Sequence, residues 1–293
     1  MKTLKAIFKL MRPYQWTKNA LIFLPLFFHG SILSQSQFLD VMAAFVGFSF
    51  IASSIYCFND IADIETDRQH PKKSKRPLAS GALSKRTAII VLAVLIVSGF
   101  LVFYLQGLDK EVFIYALIYI ILNVLYTLKL KKFGIIDTFI IALGFVIRIF
   151  LGSASGDIAL SQWIIIMTFL LALFLSFAKR RDDLIIYQKT GQIQRDNIVQ
   201  YNLEFLNITF GILASVIIVA YIMYTLSSDV ISGFGNKNIY FSTIFVIAGL
   251  LRYIQNSTVL GLSDDPTRIL FKDWFLLVCV LAWMLYFAIV IYL

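Results

Sequence analysis

Apolar stretches of about 18 to 22 residues recur along the whole chain, and each is long enough to cross a hydrocarbon core of roughly 30 Å as an α-helix. Short polar segments rich in Lys and Arg separate them. The pattern predicts nine membrane-spanning helices, near residues 19–35, 40–61, 86–106, 111–129, 134–152, 161–179, 206–226, 239–257 and 273–292. The first is the weakest, because Pro25, His29 and Gly30 interrupt its apolar run, so a kink or a partly interfacial course is expected there.

Composition supports an all-α membrane protein. With 59% hydrophobic and 15% charged residues and a mean hydropathy of +0.82, the chain has more apolar surface than a water-soluble fold can hide. Residues 1–18 carry five basic residues and no small-residue cleavage site after a short apolar stretch. They are read as a cytoplasmic amphipathic segment on the membrane surface, followed by a single polytopic domain over 19–293. Cys57 and Cys279 both sit in apolar runs, with a spacing that suits neither zinc nor a disulfide framework, and are expected as buried thiols.

Charge sets the expected orientation. Of the 26 Lys and Arg residues, 23 fall in the N-terminal segment and in the loops after predicted spans two, four, six and eight. Lys110 and Lys237 lie on the opposite side, and Arg148 lies within span five. The positive-inside bias therefore predicts an inner or plasma membrane protein with its N-terminus cytoplasmic and its C-terminus outside. The expected partners are the bilayer and small anionic substrates, with no nucleic acid.

Topology does not account for the acidic residues on the same basic side. Asp60, Asp63 and Asp67 are spaced i, i+3, i+7, which on a continuous helix places them within a sector of about 60° on one face. Three stacked carboxylates near the hydrocarbon boundary repel one another and need a cation. An all-oxygen set suits Mg2+, which shares its coordination with waters and phosphate oxygens. The basic loop Lys72-Lys73-Ser74-Lys75-Arg76-Pro77 follows closely, so carboxylates and cations together form a candidate diphosphate clamp, with Lys75 and Arg76 on the remaining oxygens.

Further charges cluster at the ends of the predicted spans. Lys179-Arg180-Arg181-Asp182-Asp183 closes span six; Lys179 and Asp183 could be a simple helix pair, but three cations ahead of two carboxylates suit anion binding. Tyr126 and Lys129 end span four, and Asp137 opens span five. Arg148 is either a functional cation or a structural one paired with Asp137 or a backbone carbonyl. The stretch Arg12-Pro13-Tyr14-Gln15-Trp16-Thr17-Lys18-Asn19 reads equally as an interfacial anchor or as part of a binding site.

The Asn59-Asp60-x-x-Asp63-x-x-x-Asp67 motif, its place after span two and the span count resemble the UbiA-type intramembrane prenyltransferase superfamily. Arg12-Pro-x-Gln-Trp-x-Lys18-Asn19, His70-Pro-Lys-Lys-x-x-Arg76-Pro, Lys179-Arg180-Arg181 and Gly261-x-x-Asp264-Asp265-Pro266 are most similar to its decaprenyl-phosphate phosphoribosyltransferase branch. That resemblance implies transfer of 5-phosphoribosyl from phosphoribosyl diphosphate to a polyprenyl phosphate. It also implies that Asp60, Asp63 and Asp67 hold Mg2+ on the donor diphosphate, with Asn59 orienting them. Lys129, Lys179 and Arg180 would take the 5-phosphate or the lipid phosphate. Lys18, Tyr126, Asp137, Arg148, Arg181, Asp182 and Asp183 complete the expected substrate-binding set.

Aromatic prenyltransferases of the superfamily usually have a second Asp-rich motif after span six. Here cations precede the aspartates, which fits a donor and an acceptor that both carry phosphate. Two rivals stay open: transfer of a prenyl group to an aromatic or other small acceptor, and secondary transport of an anionic solute. The second would place charge near the midplane rather than at the helix ends.

Overall fold

The computed structural model describes residues 2–70, 72–191, 193, 195–259, 269 and 272–293. The chain falls into two compact units, one of residues 1–130 and 144–160, the other of 131–143 and 161–293. Among the described residues, seven helices are long and apolar enough to cross a membrane. They are α3 (Gln35–Ala62), α5 (Lys85–Gln106), α6 (Lys110–Leu128), α7 (Ile136–Gly156), α8 (Gln162–Thr190), α9 (Leu203–Leu226) and α12 (Trp274–Tyr292). The exposed faces are themselves apolar: α5 has the highest hydropathy of the seven, yet only 22% of its span is buried. Such a surface is stable against lipid and not against water, so this is a multi-pass membrane protein.

The two remaining expected spans are composite. Residues 19–35 are taken up by a 3-10 helix, Pro13–Phe23, and a short α2, Leu24–His29, that ends on Gly30 in the left-handed region. Pro25 and Gly30 break the run as anticipated. After the short α10, Ser228–Phe234, residues 239–257 form a 3-10 turn, Lys237–Ser242, and α11, Thr243–Thr258. Laid end to end, each pair reaches about 31 to 36 Å, comparable to the hydrocarbon thickness, although neither contains an unbroken helix of span length.

In the first unit, α3 is the central element, packed on α1 (Lys2–Met11), the Pro13–Phe23 segment, α5 and α6. Gly47 and Gly99 allow the α3–α5 crossing: a Cβ on either would stand 2.7 Å from the other's carbonyl oxygen. Phe48, Ile51, Ile55, Phe103, Tyr119 and Leu151 fill the core. Ser84 starts α5 by accepting the Thr87 N–H at 3.1 Å, and Gly107, at φ 71°, ends it.

In the second unit, α8 packs on α9 and α11 on α9 and α12. Phe174 and Phe210 stack at 4.4 Å between α8 and α9. Tyr221 bonds Ser242 at 2.7 Å and accepts the Trp283 N–H at 2.6 Å. Asp273 caps α12 by accepting the Leu276 N–H at 2.9 Å. Burial pushes its carboxyl up, but donors from Arg252, Leu276 and Asn256 outweigh this and bring it down to about 2. Cys57 and Cys279 are buried free thiols.

Three outcomes are expected. Gly152→Ala places a methyl 2.0 Å from the Ile22 carbonyl oxygen, so it should lower the thermal midpoint in detergent, with a cost of about 1–3 kcal/mol. Gly211→Ala, with no heavy atom within 4 Å, should be neutral or slightly stabilising. Because the folded pKa of Asp273 is depressed, its contribution is complete above about pH 4 and is lost as pH falls through about 2. An acid titration of stability for wild type against Asp273→Asn should therefore converge at the acid end.

Candidate functional site

The last turn of α3 carries Asn59 and Asp60. The helix then breaks at Asp63, whose φ of −102° and ψ of 13° lie outside the helical region, and resumes as α4, Ile64–Gln69, which carries Asp67. The expected single face of three carboxylates is therefore split over two helical segments. Asp60 and Asp67 are buried, Asp63 is half-buried, and Glu65 is exposed, paired with Arg68 at 3.0 Å away from the cluster.

Two arginines complete the cluster. Arg76 Nη1 donates to Asp60 Oδ1 at 3.1 Å and to Asp67 Oδ2 at 2.6 Å, and Arg12 Nη2 donates to the same Asp60 oxygen. Two buried carboxylates thus face two guanidinium groups, which match their charge. The other Asp60 oxygen, Oδ2, is buried and has no hydrogen-bond partner among the described residues.

Packing explains how the arginines arrive. Leu78 and Leu83 anchor the basic loop in an apolar cluster with Leu10 of α1 and with Cys57, one turn before Asp60. Lys9 Nζ donates to the Lys75 carbonyl at 2.8 Å, tying α1 to that loop. Arg12 ends α1 in the left-handed region, at φ 53°, and its guanidinium lies 5.2 Å from the centre of the Tyr56 ring. The Lys75 side chain is exposed, and Lys18 is half-buried on the Pro13–Phe23 segment.

Below this cluster the Pro13–Phe23 segment lines α3 with polar contacts. Trp16 Nε1 donates to Ser53 at 3.0 Å, and Asn19 Nδ2 donates to Ser49 at 2.9 Å. Asn19 Oδ1 accepts from Arg148 Nε at 2.8 Å, while Arg148 Nη1 reaches the Gly144 carbonyl at 2.5 Å and Nη2 the Tyr119 hydroxyl at 3.3 Å. Phe48, Tyr119 and Phe145 surround the guanidinium with ring centres 5.1–5.2 Å away. Arg148 is thus held by a backbone carbonyl and neutral side chains, not by Asp137. Asn59 accepts a hydrogen bond from Thr127, which joins α3 to α6. Tyr126 beside it is half-buried, and Lys129 is exposed.

In the second unit α8 runs on to Thr190 and stops at Gly191, with φ 68°. The Lys179–Asp183 segment, expected at a helix end, is therefore interior to α8. Nothing breaks the helix there, and Arg180, Arg181 and Asp183 find partners within the unit. Fully buried Arg180 donates to Asp137 Oδ2 through Nε at 2.7 Å and approaches it through Nη2 at 2.6 Å. Asp183 pairs with Arg195 at 2.8 Å rather than with Lys179. Arg181 is taken up by the Asn207 side chain at 2.7 Å and the Ser257 carbonyl at 2.8 Å, which makes it a packing residue in this conformation. Lys179 is half-buried, and Asp182 is buried.

Tyr201 completes this network by donating to Asp137 Oδ1 at 3.3 Å and accepting the Ile135 N–H at 2.6 Å. Burial pushes its hydroxyl up to about 12, the Ile135 N–H opposes this and Asp137 adds to it, so the proton stays in place at physiological pH. The Gly261–Pro266 motif lies outside the described residues.

Among the described residues, no three His, Cys, Asp or Glu side chains are close enough together to hold one metal ion. The site still fits magnesium by its chemistry. That ion commonly takes one or two protein carboxylates and completes its shell with waters and phosphate oxygens, and Asp60 keeps a buried oxygen uncommitted. Sequence reasoning placed Asp60, Asp67 and Arg76 together, left the Arg12–Asn19 stretch open between an anchor and a binding site, and did not single out Arg195. No periodicity links Arg12 to a carboxylate 48 positions away.

The profile of the UbiA prenyltransferase family matches residues 23–271, through both units. Among curated proteins, the chain is similar to the decaprenyl-phosphate phosphoribosyltransferase of Mycolicibacterium smegmatis, at 30% identity over 94% of this chain and 89% of that one. It is also similar to the decaprenyl-phosphate phosphoribosyltransferase of Corynebacterium glutamicum, at 28% identity over 97% and 86%. Among solved structures, a UbiA homolog from Archaeoglobus fulgidus bound to DMAPP and Mg2+ has the same fold. Its TM-score is 0.73, with 20% identity over 97% of this chain and 98% of that one.

The buried Arg180–Asp137 pair generates a prediction. Asp137→Leu strands a fully buried guanidinium and should cost about 3–5 kcal/mol, whereas Asp137→Leu with Arg180→Leu should recover most of that loss. Unfolding in mixed micelles reads both, and an equal loss in single and double variants would remove the pair's structural role.

Proposed function

The chain belongs to the UbiA prenyltransferase family, and within it we propose that the chain moves the 5-phosphoribosyl group of phosphoribosyl diphosphate onto a decaprenyl-type polyprenyl phosphate, releasing diphosphate. The relatives that match nearly the whole chain carry that activity in their names. One observation favours this donor over a prenyl diphosphate. Asp183, in the place where a second metal-binding Asp motif is expected for prenyl donors, is bound to Arg195, and the neighbouring Arg180 is bound to Asp137. Two buried arginines, Arg180 and Arg181, share that segment with its aspartates, so it is less acidic than an Asp-rich metal motif, which suits a donor and an acceptor that both carry phosphate.

On this reading Asp60 and Asp67, with Asp63 beside them, hold Mg2+, and Asn59 keeps the end of α3 in place through Thr127. The ion, when bound, would stabilise charge on the departing diphosphate. Arg76 and Lys75 bind diphosphate oxygens. Lys129 and Lys179 take the 5-phosphate or the lipid phosphate. The C1–diphosphate bond breaks as a lipid phosphate oxygen attacks C1 from the opposite face. A phosphate monoester is already ionised near neutral pH, so no strong general base is required and catalysis is mainly positioning and charge stabilisation. The asymmetry of Lys and Arg supports an N-terminus and basic loops in the cytoplasm and a C-terminus outside.

Purified protein incubated with Mg2+, labelled phosphoribosyl diphosphate and a polyprenyl phosphate should carry label into the lipid phase. Failure with several chain lengths, together with turnover of a prenyl diphosphate and an aromatic acid, would overturn the donor assignment. Asp60→Asn or Asp63→Asn should reduce transfer by about 100-fold or more while the protein stays monodisperse, and full activity in either would remove the metal assignment.

A further inference from the structure

We propose that Arg12, together with Arg76, is an exchangeable counter-ion of the Asp60–Asp67 site: it neutralises the carboxylates until a metal–diphosphate complex arrives, then turns to the diphosphate, so that metal and diphosphate load as one unit. The inference rests on the metal–diphosphate reading of this site and adds Arg12 to it as a binding residue.

The geometry points this way from three sides. Both arginines converge on Oδ1 of Asp60, while the buried Oδ2 has no partner among the described residues, so one carboxylate presents a neutralised edge and an open edge. The cations are also the outer layer. The Arg12 and Arg76 side chains are 18% and 28% exposed against 1% for Asp60, so an incoming anion meets guanidinium first and carboxylate second. Finally, both arginines have a common support. α1 and the basic loop are tied by Lys9 to the Lys75 carbonyl and by packing of Leu10 with Leu78 and Leu83, so the side chains can swing while their backbones stay anchored. The face of Tyr56 keeps Arg12 at the site in either state.

Charge balance makes the exchange cooperative. A divalent cation alone, added to two carboxylates already paired with two arginines, leaves excess positive charge in a poorly solvated place. Diphosphate alone leaves excess negative charge beside the carboxylates. Arriving together, the metal takes the carboxylates and the freed arginines, with Lys75, take the diphosphate, so the two opposite excesses offset each other. By linkage, diphosphate must then raise metal affinity by the same factor by which metal raises diphosphate affinity.

The test uses full-length protein in detergent, with Mn2+ alone followed by electron paramagnetic resonance and inorganic diphosphate followed by calorimetry at saturating Mg2+. Arg12→Gln should bind Mn2+ alone about tenfold more tightly and diphosphate about tenfold more weakly than wild type, while Arg12→Lys stays near wild type in both. Opposite signs are the signature, because a merely structural arginine would weaken both or neither. Unchanged or weaker Mn2+ binding in a folded Arg12→Gln protein, or unchanged diphosphate binding, would overturn the exchange. If Arg12→Gln aggregates, Arg76→Gln should show the same opposed response. If both aggregate, saturating Mg2+ and diphosphate throughout purification should keep Arg12→Gln monodisperse, because the metal takes over the carboxylates, and aggregation even then would overturn the exchange. Neither probe contains ribose or lipid, so an opposed response without phosphoribosyl transfer would count against the donor assignment alone.

Discussion

A carboxylate removed from water must be neutralised where it stands, and that constraint organises both units of this protein. In the first, Asp60 and Asp67 are buried at the end of the central helix, and the N-terminal helix and the basic loop converge to supply Arg12 and Arg76. In the second, Asp137 and Asp183 are matched by Arg180 and Arg195. The two solutions differ in accessibility. Arg180 is wholly enclosed, whereas Arg12, Arg76 and Arg195 keep part of their surface exposed. An enclosed pair is architecture; a partly exposed pair beside an uncommitted carboxylate oxygen is open to exchange.

Arg148 shows what happens when no anion is supplied. Its charge is spread over a backbone carbonyl, an amide oxygen, a phenol and three aromatic faces, each a weak partner but together a full shell. The same residues fix the Pro13–Phe23 segment against α3 through Asn19 and Ser49, so the cation also helps to hold the support from which Arg12 projects.

Much of this was legible beforehand. Apolar run length located the unbroken helices, because hydrocarbon thickness acts on each segment by itself. The acidic motif and the basic loop were readable as one site because they are adjacent in sequence. The composite spans were less legible: Pro25 and Gly30 signalled a break in the first, but nothing between 237 and 242 announces a 3-10 start. The end of α8 was misjudged because hydropathy falls at Lys179 while helical hydrogen bonding continues to Gly191. Partner choice was the least accessible. Lys179 and Asp183 stand at ideal helical spacing, yet Asp183 pairs with Arg195 across a turn, since a planar guanidinium brought close by packing competes well with a flexible ammonium.

The continuation of α8 has a consequence for how this chain can vary. Arg180 and Asp183 lie in the interior of a helix that runs unbroken to Gly191, so their position is set by residues before them and not by the segment that follows. A change of length between Arg195 and Tyr201 would leave Arg180 on its helix but would displace Arg195 from Asp183 or Tyr201 from Asp137. A single residue inserted between 163 and 179 would rotate every later side chain on the helix by about 100° and advance it by about 1.5 Å, parting Arg180 from Asp137. A change of length before this charged turn thus breaks the Arg180–Asp137 pair, whereas one after it spares that pair and breaks the contacts that the following segment makes with Asp137 and Asp183.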